Sequence, residues 1–488
     1  MTDLIVELSK YLMTLLFAFY TYECFSSFRG KLTPEKRAKI FKRQMCLMYL
    51  IHLDAFLAIY AVTDDIRMIL FYVVQAAFIA VTISSYRLVY GRASGLLINN
   101  MCMLLMIGFI MITRLSFDKA IRQFAIAVGA MVCSLIIPVL IQKVRFLRKM
   151  PWLYAAAGII GLLAVLAFGI TSSGAKISIS IAGISVQPSE FVKIIFVFFV
   201  ACMLYENTDL KHVCIATVLA AVHVLILVLS RDLGEALIFC VTYLVMLYVA
   251  TRKLFYFAGG LLTGCIAAVV AYQLFSHVRV RVLAWQDPLS RIENEGYQIC
   301  QSLFAIGTGG WFGMGLYQGM PDKIPVVEQD FVFAAISEEL GGVFALCLLL
   351  VCVSCYLMFL NIAMQIKDQF YKLIALGLGT VYGFQVFLTI GGVTKFIPST
   401  GVTLPLVSYG GSSLLSTTII FAIIQGLYIL RQDEEGMKQH EGKKKKKVNV
   451  KEKRTKREPQ RKPEPAARPT SGNGRKKTGF DQDIEDLD

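Results

Sequence analysis

The sequence predicts an all-α protein that crosses a membrane many times, and three observations lead there. Mean hydropathy is +0.62, with 56% of the 488 residues hydrophobic and only 17% charged, too apolar for a chain of soluble domains. The apolar residues come in blocks of roughly 18 to 25, the length a helix needs to cross a hydrocarbon core about 30 Å thick. The lysines and arginines gather in the short segments between the blocks.

Taken in order, the blocks fall at 6–26, 45–62, 67–87, 98–114, 121–143, 152–170, 190–206, 211–229, 234–251, 254–275, 331–360, 370–393 and 412–430, thirteen in all. The segment 27–44, the segment around Arg87 and Arg92, the stretch "QKVRFLRKM" and everything after Arg431 are basic. With thirteen spans all four fall on one side, and cytoplasmic loops are the ones enriched in Lys and Arg. The N-terminus and the segments 171–189, 276–330 and 394–411 are then expected outside. The first block carries Asp3 and Glu7 at its start and no small-residue site after it, so it is expected to stay in the chain as a span. Three regions result: N-terminal spans within 1–97, a ten-span core over 98–431, and a tail over 432–488.

The net charge of +15 belongs mostly to the tail. From Gly436 onward the sequence turns to "EGKKKKKVNVKEKRTKREPQRKPEPAARPTSGNGRKK", with too few apolar residues to support a core, so a disordered cytoplasmic tail is expected. Beside a last span, such a run is better suited to anionic lipid headgroups, at about 1 kcal/mol per basic residue near the surface, than to nucleic acid. The twelve cysteines fall mostly inside the spans without ligand spacing, as small packing residues do.

Ionisable groups at membrane depth are functional candidates because each one costs energy in lipid. In "QPSEFVK", Glu190 and Lys193 stand three apart at the start of a helix and can face each other; the spacing suits a structural ion pair and a functional one equally. In "SRDLGEA", Asp232 and Glu235 stand at another helix start, where carboxylates complement the helix dipole. The segment 276–330 is long enough to be functional. It holds Arg279 and Arg281, the acidic residues Asp287, Glu293 and Glu295, and a glycine series from Gly307 to Gly319 that fits no nucleotide-binding fingerprint. In "SEELGG", Glu338 and Glu339 point about 100 degrees apart on a helix, so one at most is expected to face a cavity. The stretch "STGVTLPLVSYGGSSLL", Ser399 to Leu415, breaks two apolar runs with Pro, Gly and hydroxyls. Irregular backbone at this depth is tolerated only against protein or a wet cavity, so it is expected to form a cavity wall.

"QPSEFVK", "DLGEALI", "GYQICQSLFAIGTGGWFGMGL", "DFVFAAISEELGG" and "PSTGVTLPLVSYGGSSLL" resemble, in order, the successive signatures of the bacterial SEDS family, which contains FtsW, RodA and SpoVE. The resemblance covers about residues 98 to 431 and leaves outside it three extra N-terminal spans and the basic tail. It implies a multi-pass protein of the bacterial cytoplasmic membrane. It also implies a peptidoglycan glycosyltransferase that polymerises lipid II on the outer face with a class B penicillin-binding protein, in elongation, division or sporulation. A precursor flippase and an inactive scaffold of the cell-wall machinery are the other readings.

In the family a catalytic aspartate stands in a "DP" pair shortly before "GYQ". A gapless reading puts that position near Arg291 here, whereas Asp287, followed by Pro288, needs about four residues of slippage. The resemblance thus assigns the base to Asp287, with Glu293 or Glu295 as substitutes. Glu190 and Lys193 match the family's "QPSE" pair, and Arg279, Arg281, Asp330, Lys395, Ser408, Tyr409 and Ser412 are expected around the substrate. The departing pyrophosphate would be stabilised by Lys193, Arg279 and Arg281 or by a divalent cation, Mg or Mn.

Overall fold

The computed structural model of the protein describes residues 2–30, 33–143, 145–172, 175–181 and 184–455. Three helices come first: α1 (Thr2–Ser26), α2 (Pro34–Thr63) and α3 (Ile66–Val89). α2 starts well before the apolar block at 45–62, because the Thr33 side chain accepts from the Lys36 amide and Pro34 sits in the first turn, two ordinary start signals. Then follow α4 (Gly95–Leu115), α5 (Phe117–Lys143) and α6 (Pro151–Phe168).

A departure from the all-α expectation comes next. Residues 170–186 form a small antiparallel sheet, β1 (Ile170–Ser172), β2 (Ala175–Ile181) and β3 (Ile184–Val186), in the order β1-β2-β3, with Ile179 opposite Val186. The alternation "KISISI" is a period of two, which a helix cannot bury on one face.

The rest of the bundle is α7 (Pro188–Leu204), α8 (Leu210–Leu229), α9 (Leu233–Thr251), α10 (Leu254–Leu274), α11 (Ser276–Gln286), α12 (Tyr297–Gly309), α13 (Val332–Gln365), α14 (Gln369–Val393) and α15 (Gly411–Thr455). Twelve of the described helices are long and apolar enough to cross a membrane. α7, at 17 residues, is only about 25 Å long. It corresponds to the expected span 190–206, and Glu190 and Lys193 in its first two turns are buried.

The chain divides into a membrane unit, Met1–Glu434, and a basic unit, Glu435–Asp488. The backbone of the basic unit is helical to Thr455, where a disordered tail was expected from Gly436; Lys and Glu are good helix formers even without a core. Residues 456–488 of the expected tail lie outside the described residues.

α4 is the axis of the membrane unit, with 94% of its apolar window buried. The N-terminal helices are bonded to it. Tyr20 Oη donates to Asn100 Oδ1 (3.0 Å), Asn100 Nδ2 to Ser354 Oγ of α13 (2.7 Å), and Asn99 Nδ2 to Gln44 Oε1 of α2 (3.0 Å). Gln425 of α15 clasps the start of α4, accepting from the Ser94 amide (2.9 Å) and donating to its carbonyl (3.0 Å). Interhelical bonds of this kind are worth about 0.6 to 2 kcal/mol each in a bilayer.

α13 is kinked at Gly341, whose φ of 89° is open to glycine and costly for other residues. The broken helix bonds are replaced by the glycine-rich turn after α12. Gly342 N donates to Gly310 O (2.8 Å), Met314 N to Glu338 O (2.9 Å) and Gly315 N to Glu339 O (2.8 Å). Glu338 and Glu339 are both buried and face this turn rather than a cavity. Glu338 accepts from the Met320 amide (2.9 Å), and Glu339 accepts from the Tyr317 amide (3.1 Å) and pairs with buried Arg114 (2.8 Å).

Candidate functional site

At one end of the membrane unit the sheet and the starts of α7, α9 and α15 converge with α11 and the segment 394–410. Two layers of polar groups occupy this end.

The deeper layer centres on Lys193, which is 1% exposed. Its ammonium lies 2.6 Å from Glu190 Oε2 and 3.2 Å from Glu235 Oε1, and donates to Gln385 Oε1 at 2.9 Å. The i,i+3 spacing in α7 makes the first contact, α9 brings the second and α14 the third. Ser416 of α15 donates to Glu190 Oε2 (2.6 Å). Gln385 donates in turn to the Thr403 carbonyl (3.1 Å), and Thr403 Oγ1 donates to Ser413 Oγ (2.8 Å). One ion-paired knot therefore fixes α7, α9, α14, α15 and the cavity wall.

The upper layer begins at Asp232, the N-cap of α9, which accepts from the Glu235 amide (3.3 Å) and from Ser189 Oγ (3.4 Å). The Gln187 amide donates to Ser412 Oγ (2.9 Å), joining the start of α7 to that of α15. Above these, Arg281 Nη1 donates to the Thr400 carbonyl (3.1 Å). Next to Thr400, Gly401 takes φ +73°, and the space a Cβ would fill there is flanked by Asp330 Oδ2 at 3.5 Å and Arg281 Nη2 at 3.8 Å. Burial pulls the Arg281 guanidinium down from its ordinary value, offset by Asp330 and Asp232. Burial pushes the Asp330 carboxyl up to about 6, with Arg281 pulling it down and Glu328 pushing it further up.

The wall itself runs non-helical from 396 to 410, as "STGVTLPLVSYGGSS" led us to expect, and α5 holds it in place. Gln123 Nε2 donates to the Ser408 carbonyl (3.1 Å) and Gln123 Oε1 accepts from the Gly410 amide (3.3 Å). The Tyr409 amide donates to the Glu328 carbonyl (2.7 Å), Lys119 pairs with the Glu328 carboxylate, and the Lys119 ammonium stands 5.9 Å from the Tyr409 ring. Ser408 is buried and spends its hydroxyl accepting from the Leu404 amide (2.9 Å). Ser408 thus shapes the wall.

The remaining expected residues separate. Arg279 and Arg281 are two apart on α11, hence about 200 degrees apart around it, so the structure does not bring them together. Arg279 is exposed and donates to the Gln273 carbonyl (3.0 Å). Asp287 caps the far end of α11, six residues and about 9 Å along the axis from Arg281. It is exposed, and bonds from Ser290 hold its carboxyl below the usual range. Glu293 and Glu295 are exposed in the turn that follows, and Lys395 lends its carbonyl to Trp285 Nε1 (3.1 Å). Among the described residues no three His, Cys, Asp or Glu side chains gather to hold a metal ion, and Asp330 and Asp232 both act on the Arg281 guanidinium. Gln123, Gln385, Thr403 and Ser416 carry much of the geometry and were absent from the sequence reading.

The model of the cell cycle protein family FtsW/RodA/SpoVE matches residues 95–432. The chain is 40% identical over 268 residues to the peptidoglycan glycosyltransferase RodA of Mycobacterium tuberculosis, covering 52% of this chain and 57% of the relative, so it spans little more than half the length of that relative. It is 31% identical over 344 residues to the probable peptidoglycan glycosyltransferase FtsW of Shewanella sediminis, covering 66% of this chain and 83% of the relative. The fold is similar, with TM-score 0.60 and 24% identity over 70% of this chain and 98% of the other, to a chain solved in work on the structural coordination of polymerization and crosslinking by a peptidoglycan synthase complex. The chain is therefore a multi-pass membrane protein belonging to the FtsW, RodA and SpoVE family of cell cycle proteins.

Proposed function

We propose that the protein is a peptidoglycan glycosyltransferase that polymerises lipid II at the outer face of the bacterial cytoplasmic membrane, in cell-wall biogenesis, with a class B penicillin-binding protein as partner. The observation that carries this reading is the polar site, where Arg281 donates to the Thr400 carbonyl near a buried cluster of Lys193, Glu190 and Glu235. The names of the relatives, a peptidoglycan glycosyltransferase RodA and a probable peptidoglycan glycosyltransferase FtsW, support it.

The chemistry follows from the substrate class. A hydroxyl of the acceptor sugar attacks the anomeric carbon of the donor, forming one C–O bond as the bond to pyrophosphate breaks. The electron pair leaves on the pyrophosphate oxygen, and the hydroxyl proton passes to a carboxylate. Pyrophosphate needs no protonation to leave, so one carboxylate suffices where glycosidases use two. Arg281 is placed to receive the negative charge of the leaving group. The resemblance assigns the proton to Asp287, with Glu293 or Glu295 as substitutes.

In this reading the N-terminus and the site lie outside, and the C-terminus, with its basic run attracted to anionic headgroups, lies in the cytoplasm. The competing reading of an inactive scaffold rests on the resemblance, under which a gapless reading puts the family's catalytic aspartate near Arg291 and Asp287 needs about four residues of slippage. Incubating the purified protein with lipid II and its cognate penicillin-binding protein tests both: glycan strands on a gel support the enzyme, and none with any class B partner refutes it. Movement of lipid II across vesicle membranes without polymer would favour the flippase.

A further inference from the structure

We propose that the seam between α1 and α2 is a docking site, within the bilayer, for a transmembrane helix of a partner protein that carries a lysine or arginine at the depth of Asp54.

Three observations lead to it. First, Asp54 lies in the middle of the apolar block 45–62, nine residues and about 14 Å along the helix from Thr63, the last residue of α2. Ser9, its neighbour across the seam, lies seven residues and about 10 Å from the start of α1. A lysine or arginine at such a depth carries its charge towards the interface on a long stem, whereas aspartate has a single methylene and stays where its backbone is.

Second, the carboxyl has one weak partner and no counter-charge. Ser9 Oγ donates to Asp54 Oδ2 at 2.9 Å, and among the described residues no cation acts on it. Lys10, beside Ser9, is paired with Glu7 (2.9 Å), and His52, two residues along α2, is bonded to Gln75 (2.9 Å). Other acids of the spans are answered within the chain: Glu190 and Glu235 by Lys193, Glu339 by Arg114 and Glu23 by Arg43.

Third, Asp54 is not closed off in the core. It is partly exposed, and the residues one turn away on either side of the bonded pair, Ile5 and Leu12 on α1 and Leu50 and Leu57 on α2, are all exposed. The seam therefore presents four apolar side chains around one carboxyl. Apolar side chains alone are at home against acyl chains, but an acid facing hydrocarbon is costly and marks a functional position. Helices associate in a bilayer through close packing and polar bonds across the contact. The four side chains supply the packing and the carboxylate supplies the bond, and its sign selects a cationic partner.

A second copy of this chain does not bring that cation. Lys10, Arg114 and Lys193 are buried and already paired, and the other basic residues of the apolar blocks stand at their ends. The site also lies before residue 95, where the match to the family begins. A helix docked there would be fixed to the family core through the bonds of Tyr20 and Gln44 to Asn100 and Asn99 of α4.

The test uses the full-length protein, carrying a donor fluorophore at its N-terminus, in phosphatidylcholine vesicles. The probe is an acceptor-labelled model helix of about 20 leucine and alanine residues with one lysine at its centre; matched helices carry leucine or glutamate there. Energy transfer against helix density in the membrane gives the affinity. The lysine helix should bind about 10-fold more tightly than the leucine helix, and the glutamate helix no better than the leucine helix. Asp54→Asn, which still accepts from Ser9, should abolish the preference, and Asp54→Glu should keep it; Asp54→Ser serves if the asparagine variant does not accumulate. Equal binding of the lysine and leucine helices overturns the proposal, because the carboxyl is then met by a proton or by lipid. A lysine preference that survives in a folded Asp54→Asn or Asp54→Ser protein overturns it as well, since the attraction then comes from another residue. Energy transfer between two copies of the full-length chain that disappears with Asp54→Asn would overturn the choice of partner in favour of a second copy.

Discussion

Lys193→Met should be one of the most damaging single changes in the membrane unit. The ammonium stands 2.6 Å from one carboxylate and 3.2 Å from another, with the Gln385 oxygen at 2.9 Å. At about 3 Å and an effective dielectric near 20, each carboxylate attracts the cation by about 5 kcal/mol before desolvation is counted. Taking the groups out of water offsets much of that attraction, so the intact cluster is worth little net. The asymmetry lies in breaking it: without the ammonium, Glu190 and Glu235 are left buried beside each other with no counter-charge, at a cost of about 3 to 5 kcal/mol. The assay is membrane abundance together with the melting temperature of the detergent-solubilised protein, read by fluorescence-detected chromatography. Lys193→Met should accumulate poorly and melt earlier. Gln385→Met removes a neutral partner of Lys193 and the bond to the Thr403 carbonyl but strands no charge pair, and should cost about 1 to 3 kcal/mol. Combining Lys193→Met with Glu190→Gln and Glu235→Gln removes the stranded charges and should restore part of the stability. If Lys193→Met accumulates and melts like the parent, the cluster does not hold α7, α9 and α14 together and the reasoning fails.

Gln123→Ala should remove both bonds from α5 to the cavity wall, lowering polymerisation several-fold while costing only about 1 to 2 kcal/mol of stability, which a rate assay beside a melting curve would separate. Arg114→Met should leave Glu339 buried without its cation and loosen the glycine-rich turn at the α13 kink, at about 3 to 5 kcal/mol; an unaltered melting temperature would contradict the pairing. The termini should label from opposite sides of the membrane, the N-terminus outside, when single cysteines are introduced in a cysteine-free background, and same-side labelling would remove α7 or another helix from the count of spans.

The spans were legible because length and hydropathy alone decide them. Glu190 and Lys193 were legible because three residues on a helix is a contact, and Asp232 because a carboxylate before an apolar run is a cap signal. Much of the rest depended on partners far apart in sequence. Gln385 meets Lys193 across 192 positions and Gln123 meets Ser408 across 285, and a single amide in an apolar helix leaves no periodic trace. Arg114, at the end of a span, was passed over because its partner Glu339 lies 225 residues on. Two misreadings were avoidable. "KISISI", in the segment expected outside between two spans, carries a strand period that went unread, and expecting both Arg279 and Arg281 at the substrate took no account of α11, whose helical turn sends the two side chains to opposite faces.

A charge accounting of the site explains why an anionic leaving group is suited to it. The starts of α7, α9 and α15 converge, and each brings a partial positive charge from unpaired amides. Asp232 and Glu235 sit in the first turn or cap of α9 and Glu190 in the first turn of α7, so carboxylates already compensate two of these helix ends, and Lys193 is divided between two of the same carboxylates. The deeper layer is therefore balanced within itself and has no charge to offer a ligand. Arg281 is different: it donates to a neutral carbonyl, and Asp232 and Asp330 act on it only from a distance. Arg281 thus places a guanidinium beside the cavity wall, while Glu190 and Glu235, which could repel an anion, are paired with Lys193.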